Sequence, residues 1–389
     1  MYLIDKPYIS EFLLDTIREN NYKIIATREA KELVTDSSLN WISEEEAILS
    51  LKNNPYQPVY SNSENALSWI ENNFNESELS KQINVFKDKV AFREQIKAIF
   101  PDFKFQKVKL QDIQNIGTED LSFPFVIKPS VGFLSLGVYI IEDENDWANA
   151  KKEITQENMK SIFPKKVLDT SHFIIEDFIQ GEEYAIDYYH NDKGEVVVLN
   201  ILHHIFSSGI DTRDRVYSTS KEIINKHKTE LEKFLSKIGN QLNLRNFPAH
   251  AEVRIDENGK IIPIEINPMR FGGWCTTADL LGVAVGFNCY KCFFENNSPD
   301  WNNIYLEKEK KIFSLIVLDN NSGIAPINID KFDYEALANN FETPLLVREV
   351  DINNFPLFGF VFAETEPKNR DELYRILNSD LKEYISLKK

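Results

Sequence analysis

Two glutamates, Glu252 and Glu265, lie on either side of Asn258-Gly259. That dipeptide is a strong short-range signal for a two-residue hairpin turn. With such a turn, residues 250–267 pair Glu252 with Glu265 and His250 with Asn267. Side chains alternate between the two faces of a strand. One face then collects Ala251, Val253, Ile255, Ile262, Ile264 and Ile266, and the other collects Glu252, Arg254, Glu265 and Asn267. Directly opposed carboxylates repel each other unless a cation sits between them. Carboxylate and amide oxygens are the donors a hard ion such as Mg²⁺ accepts. The pattern reads as a metal platform on an apolar floor; taken singly, it reads first as an ordinary amphipathic hairpin with a solvated charged face.

Other segments add chemistry upstream and downstream. Residues 128–137, Lys-Pro-Ser-Val-Gly-Phe-Leu-Ser-Leu-Gly, place Lys128 at the base of a loop whose backbone amides could face phosphate oxygens. No G-K-[ST] follows the glycines and no helix starts there, so the loop is neither a P-loop nor a dinucleotide fingerprint. Asp88-Lys89, with Phe92 and Arg93, opens a helix, and the aspartate could simply cap it. Glu176 and Glu183 bracket a strand end and the turn at Gly181; they suit ribose or adenine contacts, or plain solvated surface. Residues 205–220 carry Arg213 and Arg215 beside Asp211, Asp214 and Tyr217. Arginines suit bidentate carboxylate or phosphate binding, although a charged surface loop with internal ion pairs would look the same. His203 and His204 lie on the strand before, and His250 borders the metal face. Residues 271–277, with Gly273 and Trp274, offer close backbone approach and an aromatic wall for an acceptor pocket.

These groups need elements to hold them. Residues 2–27 read as strand, helix, strand, which opens a small α/β unit. Helical patterns follow at 44–52 and 63–73, and again over 77–100 up to Pro101. Apolar runs at 123–128 and 138–141 form a hairpin with a long tip, and 143–156 reads as a helix. Strands are expected at 173–179, 184–189 and 196–205, and a helix at 221–242 precedes the metal hairpin. The remainder alternates strands and helices.

With 389 residues, 42% hydrophobic and 12% aromatic, the chain can fill large cores in two or three domains. Its formal charge of −17 argues against nucleic-acid or anionic-membrane partners. Cys275, Cys289 and Cys292 give no disulfide framework, which points to a reducing, cytoplasmic setting. No secretion signal and no apolar run of membrane-spanning length is visible.

In order and spacing, Lys89, Lys128 with its loop, Glu176, Glu183, Glu252 and Glu265-Ile-Asn-Pro-Met-Arg270 resemble the ATP-grasp superfamily over residues 80 to 300. The last segment looks like the family's E-x-N-P-R motif. The resemblance implies a mixed α/β (α+β) fold in which ATP lies between two sheets. It implies a division into residues 1–85, an N-terminal α/β domain; 86–185, a small lid subdomain; 186–300, the core with the metal site; and 301–389, a part completing that core. It also implies that Lys89, Lys128 and Ser135 meet the phosphates, Glu176 the adenine hinge and Glu183 the ribose. Glu252, Glu265 and Asn267 would hold one or two Mg²⁺ ions, with Mn²⁺ as a substitute. Arg270 would be the catalytic cation, and Arg213, Arg215, His204, Gly273 and Trp274 would face substrate. The implied activity is ATP-dependent ligation of a small-molecule carboxylate to an amine through an acyl-phosphate. A carboxylase, a phosphoribosylamine-type ligase and a ligase acting on a peptide partner are the alternatives. Homodimers are common in the superfamily. Two departures stand out: Phe133 and Leu134 make the lid bulky, and Met269 separates Pro268 from Arg270.

Overall fold

The computed structural model describes residues 1–119, 121–132, 137–155, 171–207 and 213–388. The lid residues Phe133, Leu134 and Ser135 lie outside them, as do residues 208–212, which include Asp211.

The N-terminal unit is a parallel sheet ordered Trp41–Ile42, Ile24–Ile25, Tyr2–Leu3, Tyr60–Ser61. Its helices begin where side-chain oxygens satisfy the free amides of the first turn. Ser10 caps Glu11–Glu19, Thr27 caps Arg28–Leu33, and Ser43 with Glu46 forms a capping box on Glu44–Asn53. The helical pattern over 77–100 is two helices, Glu78–Lys87 and Lys89–Ile96. The break falls at Asp88, whose carboxylate accepts from the amides of Val90 (2.8 Å) and Ala91 (3.3 Å). That cap places Lys89 at the first position of the second helix.

Besides a two-stranded pair of Ile329–Phe332 with Ile385–Leu387, two larger antiparallel sheets follow among the described residues. The smaller is ordered Phe105–Lys109, His172–Asp177, Phe125–Pro129, Tyr139–Ile141 and has its own core of Ile127, Phe173, Ile175 and Trp147. The larger has eight strands, ordered Ile261–Pro268, Phe247–Ile255, Glu182–His190, Val196–Ile205, Val216–Thr219, Ile312–Asp319, Leu357–Thr365, Thr343–Glu349. The chain changes sheet between Asp177 and Glu182, and the last three strands of the large sheet come from beyond residue 301. Helix Lys221–Leu242 is capped by Ser220 and presents Ile224, Leu231, Leu235 and Ile238 to the core.

The hairpin of 247–268 pairs Glu252 with Glu265 and His250 with Asn267, but its turn is not the expected two-residue one. The amide of Asp256 bonds to the Lys260 carbonyl (3.1 Å), which leaves Glu257, Asn258 and Gly259 in the loop, with Gly259 at φ 79°. The Asp256 carboxylate stabilises this longer loop by accepting from the amides of Asn258 and Lys260, each at 2.9 Å. The extra loop residue alone would slip the register. A bulge between Glu252 and Val253 restores it, because Val253 pairs with Pro263 and leaves Ile264 as the additional residue. Ile264 thereby leaves the apolar floor and lines the cleft beside Glu252, Arg254 and Glu265. Ile262, paired with Arg254, also lies off that floor, which Ala251, Val253 and Ile266 retain.

Candidate active site

The cleft lies where the small sheet, the connecting residues 178–181 and the glutamate-bearing hairpin meet. Val126 and Ile140 from one side, Phe178 and Ile179 from the connection, and Ile264 from the bulge give it apolar walls. Lys89, Lys128, Glu183, Glu252 and Glu265 line the same space. An apolar slot flanked by charged groups suits a flat base joined to an anionic tail.

Its ions pair in a definite pattern. Lys89 Nζ stands 3.0 Å from Glu265 Oε2 and donates to the Gly132 carbonyl at 3.1 Å. Lys128 Nζ lies 2.7 Å from Glu176 Oε1, while Arg93 Nε donates to Glu176 Oε2 at 2.7 Å. Burial pushes the Glu176 carboxyl up, yet Arg93 and Lys128 outweigh it and hold the group at about 2. Glu183 accepts from both sides: His204 Nδ1 at 2.9 Å and Arg254 Nε at 3.0 Å. His204 in turn stacks on Tyr217, with ring centroids 4.0 Å apart.

The opposed pair behaves as two carboxylates forced together. Burial, then Glu265, pushes the Glu252 carboxyl well above its ordinary range. Burial acts on Glu265 in the same sense, but Lys89 and Lys128 hold it below the ordinary range. Asn267 Nδ2 reaches Glu265 Oε1 at 3.3 Å. Among the described residues, no group of three or more His, Cys, Asp or Glu could by itself hold a metal ion. Two carboxylates and an amide do fit Mg²⁺ when phosphate and water oxygens complete the shell.

Behind the pair, buried Asp187 accepts from His250 Nδ1 (2.7 Å) and from the Gly272 amide (3.0 Å). This ties the strand of Glu252 to the loop carrying Trp274. A Cβ at Gly272 would sit 2.3 Å from Thr277 Oγ1, so the close approach requires glycine there; at Gly273 nothing lies within 4 Å. Trp274 packs against Tyr8 and Phe355, and its carbonyl accepts from Arg348 Nη1 at 2.7 Å. Met269, the extra residue of the motif, has φ 63° and a buried side chain. Its carbonyl accepts from the Ser61 amide at 2.7 Å. The next residue, Arg270, donates to Glu64 at 2.6 Å, so the motif is bound to the N-terminal unit.

The arginines of 205–220 part company. Arg215 is wholly buried with Nε 2.7 Å from Asp319, and it does not line the cleft. Arg213 offers its carbonyl to His204 Nε2 at 3.2 Å. The acidic neighbour Asp214 lines the cleft instead, its carboxylate accepting from the Tyr217 hydroxyl at 2.7 Å. Burial raises the Asp214 carboxyl. In sequence Asp214 is only a neighbour of the arginines and Arg93 only a helix residue near Lys89; strand register brings Asp214 to the cleft and long-range packing brings Arg93 to Glu176.

Comparison with known proteins agrees with this geometry. Residues 121–278 match the ATP-grasp domain family. Alanine–anticapsin ligase of Bacillus amyloliquefaciens is 29% identical over 176 residues, 42% of this chain and 35% of that protein. The chain thus spans about a third of the length of the curated relatives it matches. An L-amino acid ligase from Bacillus licheniformis superposes with a TM-score of 0.66 at 16% identity, over 100% of this chain and 98% of that one. Biotin carboxylase from Campylobacter jejuni gives 0.62 at 12% identity, over 100% and 92%. Residues 121–278 thus resemble an ATP-grasp domain, and the chain has the ATP-grasp fold. Among the described residues, no helix is long and apolar enough to cross a membrane.

Proposed function

We propose that the protein is an ATP-dependent carboxylate–amine ligase acting on amino acids or similar small molecules. The observation that carries this reading is Glu252 set against Glu265 at the rim of an apolar slot that also holds Lys89 and Lys128. The matched ligases named above support it. ATP would lie in the slot with its base near Phe178 and Ile179, its ribose at Glu183 and its phosphates toward Lys89 and Lys128. Glu252, Glu265 and Asn267 would hold Mg²⁺, which neutralises charge between phosphate oxygens.

A substrate carboxylate oxygen attacks the γ-phosphorus, and the bond to the bridging oxygen breaks, giving an acyl-phosphate and ADP. The amine then attacks the acyl carbon, phosphate departs with the carbon–oxygen bond pair, and the amine loses a proton to form the amide. Closing the cleft keeps water from the acyl-phosphate. Arg270, oriented by Glu64, would stabilise the charge on the transferred group. Asp214 would hold the ammonium of an amino-acid substrate.

ADP release measured across a matrix of amino-acid pairs tests the reaction. Release that depends on one carboxylate and one amine is expected, and Mg²⁺-ATP binding without ADP from any pair would overturn the assignment. Asp214→Asn should raise the Michaelis constant for an amino acid about tenfold or more while changing that for ATP little. Equal effects on both would remove Asp214 from the substrate site.

A further inference from the structure

Arg93 lies behind the cleft and does not line it. Its side chain is 2% exposed, as is that of Glu176. The guanidinium is fixed on several sides. Nε donates to Glu176 at 2.7 Å, Nη1 to the Pro263 carbonyl at 2.7 Å beside the bulge, and the group lies 4.5 Å from the centroid of the Phe103 ring. Lys128, which lines the cleft, shares the same carboxylate through the other oxygen. The buried triad therefore holds two cations against one anion. Arginine remains charged at any pH a protein survives and presents a rigid fork, whereas lysine is a mobile point charge on a flexible stem.

We propose that Arg93 is a positioning residue, the standing counter-ion of Glu176 that frees the Lys128 ammonium to bind a nucleotide phosphate. With Arg93 in place, Lys128 can turn from Glu176 to an anion without stranding a buried carboxylate. Without it, Glu176 and Lys128 close into a neutral pair, and the phosphate must compete with a buried ion pair for its lysine. The surplus charge of the triad, one positive unit, adds to Lys89 in what the cleft offers a phosphate chain.

This rests on reading the cleft as a nucleotide site, but its test reads binding alone, so it stands or falls separately from the ligase reaction. Calorimetric titration with AMP-PNP, a non-hydrolysable ATP analogue, and with adenosine separates phosphate binding from base binding. Arg93→Gln is expected to weaken AMP-PNP about tenfold or more and adenosine by less than about threefold. The double variant Arg93→Gln/Glu176→Gln, which restores the surplus charge, should recover AMP-PNP affinity to within about threefold of the parent. Equal losses for the two ligands, or no recovery in a double variant that melts cooperatively, would overturn the proposal. Should Arg93→Gln fail to fold, Glu176→Gln alone decides. It leaves both cations free, so AMP-PNP should bind as tightly as before or tighter, and a tenfold loss would refute the counter-ion role.

Discussion

The proposed site works through ions that already have partners. Glu265 is shared by Lys89 and the amide of Asn267, Glu176 by Lys128 and Arg93, and Glu183 by His204 and Arg254. Glu265→Gln should lower Mg²⁺-dependent ADP formation by about a hundredfold or more, because the proposed metal site loses one of its carboxylates. ADP release in Mg²⁺ checks this, and a variant of unchanged rate would remove Glu265 from the metal site. Glu176 also has a stability consequence. Its carboxyl is held at about 2 against an ordinary 4.5, so the native state binds the proton more weakly than the unfolded chain. The stability it contributes is fully present above pH 4.5 and is lost as pH falls toward 2. Glu176→Gln should therefore flatten the acid limb of a urea-denaturation series between pH 5 and pH 2. A limb as steep as the parent's would show that the triad does not carry this proton.

Elements decide which residues meet. Asp88 ends one helix and starts the next, so the cap sets where Lys89 points. Asp88→Ala should cost about 1 kcal/mol of stability and raise the Michaelis constant for ATP; urea melts and nucleotide titration check the two effects together. The hairpin shows how far such positions were legible in the sequence. Alternation and the opposed glutamates identified the pairing of Glu252 with Glu265, because that end of the hairpin keeps its register. The loop length and the bulge escaped, since the Asp256 side chain favours three loop residues and a strand pattern does not mark an extra one. Ile264 was accordingly assigned to the wrong face. Arg213 and Arg215 drew attention by charge, yet the β-strand context buries Arg215 against Asp319 and brings Asp214 to the cleft. Gly273 stands out in the sequence, but the glycine the structure requires is Gly272, through its approach to Thr277 and its bond to Asp187, which exist only in three dimensions.

At the scale of the molecule, the N-terminal unit is built into the core. Ser61 bonds to Met269, Glu64 to Arg270, and the Tyr60 ring packs on Phe271 and Tyr290. Unfolding should therefore be a single transition. Tyr60→Ala, which removes a fully buried ring, should lower that transition by about 3–5 kcal/mol without splitting it. Scanning calorimetry showing two separated peaks would mean that the unit melts independently. The order of the eight-stranded sheet has its own result for the whole chain. Ile261–Pro268, the strand bearing Glu265 and Asn267, is the terminal strand of that sheet. A bare terminal strand is a template on which other chains can add and aggregate. Here Pro263 and Pro268 remove two amide donors, Arg93 occupies the Pro263 carbonyl, and helix Glu78–Lys87 lies alongside. The residues that shape the cleft thus also block this edge, and variants at this rim should be assayed for aggregation before a loss of turnover is read as lost chemistry.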